Sequence, residues 1–174
     1  MLTPEQKSTI ASSLNVQRII LLALIAGPAA FLIFIVVQGG EPRPDAEKGL
    51  ARWAATTGGL AFVGSLILPA IMAAQHRRGI SAPQVRQAIA ANGGDPINWV
   101  LAGLHSRVIG RAAFLEGAAL FNGVAYMIER QAYSIAVAVA LLVCIGATFP
   151  FRHSTEEWIE RELRRLRDDA QFGT

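Results

Sequence analysis

Cysteine is almost missing from this chain. Cys144 is the single one among 174 residues, which excludes an intrachain disulfide framework and a thiolate metal cage. Charge is also scarce. Asp, Glu, Lys and Arg make up 17% of the residues, against roughly 25% in an average soluble domain, and so low a content excludes a disordered chain or a coiled coil. The net charge of +3 is too small an excess for the basic surface of a nucleic-acid binder, so no nucleic-acid partner is expected. His76, His105 and His153 lack metal-ligand spacing, and neither a metal nor a cofactor is expected. There is no nucleotide-binding glycine loop, no strand-turn serine elbow and no zinc motif.

What the chain has instead is apolar sequence in runs. Apolar residues make up 52% of it and mean hydropathy is +0.38. A membrane-spanning helix needs about 20 mostly apolar residues, and four segments qualify, at about 19–37, 53–74, 108–128 and 131–151. The third carries one carboxylate, Glu116. Backbone groups in lipid must be satisfied within their own segment, so these runs are predicted to be helices. The first is longer than the apolar core of a secretory leader and is not followed by a small-x-small cleavage pattern, so it reads as a retained helix.

Twelve of the sixteen Lys and Arg fall on one side of this four-span arrangement. The excess assigns that side, with both termini, to the cytoplasm. The expected fold is therefore an all-α, polytopic membrane protein of four transmembrane helices forming two parallel hairpins. Residues 1–151 would form the transmembrane domain, with a cytoplasmic connection at 75–107, and 152–174 a cytoplasmic amphipathic helix. The expected address is a cell membrane.

Between the spans, Gly39 to Asp45 holds two Gly and two Pro and reads as a turn, with Asp45 as an N-cap. Ser81-Ala82-Pro83 starts a helix to about Ala91, stopped by Asn92-Gly93-Gly94. Asp95-Pro96 then opens a helix with no breaker before Glu129, longer than a bilayer is thick. Pro150 ends the fourth helix, and Ser154 to Glu157 has the form of a capping box. Ile159, Leu163 and Leu166 then follow at helical spacing, a stripe suited to covering the base of the bundle or to docking a partner.

The first and third spans share a frame. Ala23, Gly27, Ala29 and Phe31 align without gaps on Ala113, Gly117, Ala119 and Phe121. Two helices running in the same direction with one pattern suggest a duplicated hairpin.

Glu116 is the sharpest single feature. An acid near a span's centre costs about 2.5 to 3.5 kcal/mol on insertion scales, so it faces the bundle interior or water and has a partner. His105, Arg111 and Asn122 are the nearby polar groups in sequence, and with Glu116 they form the candidate ion or proton site. The alternative role is a hydrogen bond that fixes packing. Gly103, Gly110, Ala113 and Gly117 form a seam of small residues that permits close helix approach. Its partner is another helix of the chain or another copy. Cys144 reads as an inert packing residue.

The frame Arg107, Ala112-Ala113-Phe114-Leu115-Glu116-Gly117-Ala118-Ala119-Leu120-Phe121 and Val124-Ala125-Tyr126 resembles that of a group of small, uncharacterised bacterial integral membrane proteins of four helices. Leu22 to Gly27 with Phe31, and the step Phe149-Pro150, match the same group. The resemblance implies a fold and a multi-pass address in the cytoplasmic membrane of a bacterium, without an activity. The chain is also similar in part to the rotor-ring proteolipids of ion-driven ATPases. It departs from them in placing Glu116 on the first helix of its hairpin, in its predicted cytoplasmic N-terminus and in its long central link. Two functional readings follow. One is a small structural or accessory subunit, a homo-oligomer or part of a membrane complex in the lipid bilayer. The other is a proton- or cation-linked carrier or channel that uses Glu116. No constellation supports an intramembrane enzyme.

Overall fold

The computed structural model describes residues 3–39, 49–80, 87, 96–150 and 152–172, with the side chains of 73, 76–80, 152–154 and 166–172 outside that description. The helix expected from Ser81 to Ala91, the Asn92-Gly93-Gly94 stop and the Asp45 cap lie outside the described residues. Those described are helical and turn residues, without a strand. The helices are α1 (Pro4–Val37), α2 (Gly49–Ile80), α3 (Ile97–Glu129), α4 (Ala132–Gly146) and α5 (Arg152–Phe172).

α1 starts well before its apolar run, and the cause is local. Thr3 Oγ1 accepts from the Gln6 N–H at 3.2 Å, Gln6 Oε1 accepts from the Thr3 N–H at 3.0 Å, and Pro4 occupies the first turn. This reciprocal cap satisfies two donors that a helix start leaves orphaned. At the other end Gly39, with φ +56°, donates its N–H to Val36 O at 3.2 Å. Glycine takes this left-handed conformation without a Cβ penalty.

α3 is the long helix expected from the lack of breakers. Its 33 residues extend about 50 Å at 1.5 Å per residue. α4 is shorter than the expected run at 131–151. It stops at Gly146, where Thr148 Oγ1 donates to Ile145 O at 2.7 Å and Phe149 N–H donates to Gly146 O at 3.1 Å. Pro150 disfavours helical backbone at Phe149, and the Thr148 hydroxyl competes for the last carbonyls. Fifteen residues give only about 22 Å of helix. α5 begins at Arg152, so Ser154 lies in its first turn and is not the cap.

By length and composition α1, the Gly49–Met72 part of α2, and α3 can each cross a membrane. Their outward faces agree with that. Ile19, Ile33, Phe34, Leu60, Leu66 and Ile67 are all more than half exposed, and large apolar side chains exposed together mark a membrane or protein contact.

α3 is the central post. It packs against α1, α2, α4 and α5, whereas α1 and α2 do not approach each other among the described residues. Both flank the α3–α4 pair, so the two hairpins of the sequence frame are not equivalent in space. α1 and α3 run in the same direction, since Ser13 meets His105 near their starts and Ile35 meets Arg130 near their ends. α2 runs opposite to α3, with Ala54 beside Asn122 and Met72 beside Gly110.

Two apolar clusters stack along this post. One holds Leu21, Ala61, Ala112, Leu115, Ala118, Ala119, Leu141 and Ile145 in the span region. The other, at the base where α1 and α3 begin, joins Ile10 and Leu14 to Ile97, Val100, Leu101, Ile159 and Leu163. Ile159 and Leu163 of the α5 stripe therefore cover the base of the bundle.

Small residues set how closely the helices approach. A Cβ on Gly58 would lie 2.7 Å from Val137 Cγ1 and 3.1 Å from Asn122 Nδ2, whereas one on Gly59 meets nothing within 4 Å. Gly58→Ala should lower the thermal unfolding midpoint in mild detergent, because overpacking of about 1 to 3 kcal/mol outweighs the helix-propensity gain. Gly59→Ala should leave it unchanged or raise it, by up to about 1 kcal/mol.

Candidate functional site

Glu116 sits in the middle of α3 and is partly exposed. Ala112 on the preceding turn is buried in the core, while Ala113 and Gly117 on either side of the Glu116 flank are exposed. A Cβ on Gly117 would meet no atom within 4 Å. Among the described residues no group hydrogen-bonds to the Glu116 carboxylate. It therefore lies at the edge of the bundle, on a strip of small side chains.

The other three residues of the candidate set are directed elsewhere. His105 Nε2 and Ser13 Oγ of α1 are hydrogen-bonded at 2.9 Å. Asn122 Nδ2 donates to Ala54 O of α2 and to Ala118 O of its own helix, both at 2.9 Å. Arg111 makes no ion pair with Glu116, and its Nε is buried without a hydrogen-bond partner. His105 and Glu116 are eleven residues apart, about 16 Å along the axis. The four side chains thus do not converge on one point. Histidine and asparagine each tie α3 to a different neighbour.

The small-residue seam divides in the same way. Gly103 is buried, and Gly110 faces Met72, whose Cε would lie 3.6 Å from an added Cβ. Ala113 and Gly117 face away from the other described helices. Gly123, which lies outside that seam, makes the tightest contact with α1, its missing Cβ 3.0 Å from Phe31 Cε1. The side chains of His76 and His153 lie outside the described set. Among the described residues no three His, Cys, Asp or Glu side chains gather as metal ligands.

The strongest polar arrangement is one that sequence reading leaves as a turn. Glu129, the last residue of α3, is only 3% exposed. Its Oε1 accepts from the Leu50 N–H at 2.6 Å and its Oε2 from the Ala51 N–H at 2.9 Å, at the start of α2. The next residue does the opposite at another helix end. Arg130 Nη1 donates to Ile35 O at 3.1 Å and Nη2 to Gly39 O at 2.9 Å, at the end of α1. The guanidinium also lies over the Tyr126 ring, 5.5 Å from its centroid.

An acid on a helix N-terminus and a base on a C-terminus both oppose the helix dipole. They also satisfy orphan amides and carbonyls that would be costly away from water. Arg130 reaches its place through a left-handed backbone, φ +54°, which closes α3 with its N–H on Tyr126 O at 2.8 Å. The sequence signal was an adjacent acid and base between two apolar runs. The partners are 78 to 95 residues away, beyond what local pattern can identify.

Glu129→Ala should destabilise by about 2 to 4 kcal/mol, because it orphans two amides and removes charge-assisted bonds. Arg130→Gly keeps the left-handed backbone free of strain and should cost less, about 1 to 2 kcal/mol. Unfolding midpoints of both in one detergent would check the order; equal midpoints to the native protein would remove the clasp.

Protein-family models, curated proteins and solved structures were all compared with this chain, and none matches it.

Proposed function

We propose that this chain is a small structural or accessory protein of the bacterial cytoplasmic membrane, with four spans and both termini on the cytoplasmic side. The observation that carries this reading is the use made of its polar groups. Asn122, Glu129 and Arg130 each bond backbone on a neighbouring helix, and His105 bonds a hydroxyl. These four hold helices together and do not converge on a common point. In this reading α4 is the fourth span, and the chain from Ala147 to Pro150 completes its crossing. The resemblance to small four-helix bacterial membrane proteins supports the same assignment.

Glu116 then belongs to a contact. An acid on a strip of small residues suits close approach by another helix in the bilayer, from a second copy or a partner in a larger complex. Disulfide trapping tests this directly. Gly117→Cys in a Cys144→Ser background should form a cross-linked species in membranes, while the exposed Val139→Cys on α4 should not. A chain that gives no cross-link at Gly117 and runs as a monomer without a partner in native mass spectrometry would count against the accessory reading.

A second reading rests on the same carboxylate, which has no hydrogen-bond partner among the described residues. A proton- or cation-linked carrier would use it as the responsive group. Liposomes under an imposed pH gradient separate the two. The carrier reading requires flux above background that Glu116→Gln abolishes; the structural reading expects background flux from both.

A further inference from the structure

Between the two apolar clusters lies a polar layer. Gln17 stands between Leu14 of the base and Leu21 of the span core, and it is 0% exposed. Neither its Nε2 nor its Oε1 has a hydrogen-bond partner. Arg18 follows it and donates from Nη2 to Pro150 O at 3.3 Å, while its buried Nε is unpartnered. From α3, Arg111 brings a second buried, unpartnered Nε. One turn earlier Arg107 lies over the Trp158 ring of α5, 5.1 Å from its centroid.

These residues share a level. Ser13 on His105 sets the register of α1 against α3, so Gln17 and Arg18, one turn further on, stand level with the turn that holds Arg111, and Arg18 reaches the chain as it leaves α4. α4 itself is about 8 Å shorter than a hydrocarbon core of roughly 30 Å. The layer thus lies where the chain from Ala147 to Pro150 would complete that crossing, at the depth of a headgroup region. Buried amide and guanidinium donors without acceptors are costly in isolation. Two guanidiniums and a carboxamide supply an excess of donors and positive charge. Water alone cannot neutralise that charge, but a phosphate oxygen cluster can.

The geometry points to a binding site for the phosphate of an anionic phospholipid, formed by Arg18, Arg111 and Gln17 beneath the end of α4. It rests on the reading of this chain as membrane-spanning with its base at the cytoplasmic leaflet, where anionic lipid is held by basic pockets between helices. The alkyl chains would lie on the apolar outer faces of α1 and α4, where Ile19, Leu22 and Val143 are exposed.

The test uses the full chain in a mild zwitterionic detergent, titrated in native mass spectrometry with phosphatidylglycerol, with phosphatidylcholine of matched chains, and with inorganic phosphate. Phosphatidylglycerol should bind about tenfold or more tightly than phosphatidylcholine, from two cations near one phosphate. Millimolar inorganic phosphate should not displace it. The double variant Arg18→Gln/Arg111→Gln should reduce the preference to within about twofold. Arg161→Gln/Arg165→Gln removes equal charge from the exposed side of α5 and should keep it.

Equal binding of the two lipids by the native chain would overturn the proposal, as would equal loss in both double variants. Displacement by inorganic phosphate would reassign the site to a soluble anion and overturn the lipid. Should the glutamine pair fail to fold, Arg18→Lys/Arg111→Lys keeps the charge but loses the planar donor fork. It should fold and lose preference several-fold, and full retention would sink the guanidinium assignment. Extraction of membranes with alkaline carbonate tests the underlying reading separately. A released chain contradicts the membrane reading, whereas a retained chain without lipid preference contradicts only the site.

Discussion

The fold depends on satisfying the ends of its helices, and the pair Glu129–Arg130 does this for two of them at once. A carboxylate takes the first amides of α2 while the adjacent guanidinium takes the last carbonyls of α1. Because α1 and α2 do not touch among the described residues, their mutual placement passes through the α3–α4 pair and this turn between them. Each helix end carries partial charge opposite to the residue that meets it, so the order acid then base is not interchangeable. Tyr126 beneath the guanidinium limits its freedom and holds the fork on its carbonyls.

The clasp sets one end, and α3 carries it to the other. Ala112, Ala118, Ala119, Asn122 and Gly123 give α3 a buried surface with little side-chain bulk. Three helices can pack around it for that reason, since in lipid the gain comes from close contact and not from escape from water. The parallel run of α1 beside α3 follows the same logic, with Phe31 lying against the bare Gly123 backbone. At the base the rule changes. There α1, α3 and α5 bury Ile10, Leu14, Val100, Ile159 and Leu163 together, a core of ordinary large side chains.

Polar residues mark the transitions between these regions. Gln17, Arg18, Arg107 and Arg111 separate the base core from the span core, and Glu129 with Arg130 closes the opposite end. Glu116 stands apart, half-way along α3 on a strip of Ala113 and Gly117 that no other described helix covers. A carboxylate in that position gains from a neighbour in the membrane, and the proposed accessory role supplies one. The same economy explains why His105 and Asn122, nearby in sequence, do not join it. Their side chains are already committed to α1 and α2.

The sequence by itself determined the helical class and the apolar runs. It also showed the unbroken length of α3 and the apolar stripe of α5, whose place at the base came from the packing. These follow from local chemistry: hydropathy summed over a segment, turn-forming residues and the position of prolines. The early start of α1 was equally local, written in Thr3-Pro4-Glu5-Gln6. Only the tertiary structure decided that α1 and α2 stand apart, that Glu129 and Arg130 serve helix ends 78 to 95 residues distant, and that Glu116 is left at an open edge. The reason is physical. A helical pattern states which residues an element can bury, but a charge finds its partner only when packing brings a distant backbone within about 3 Å.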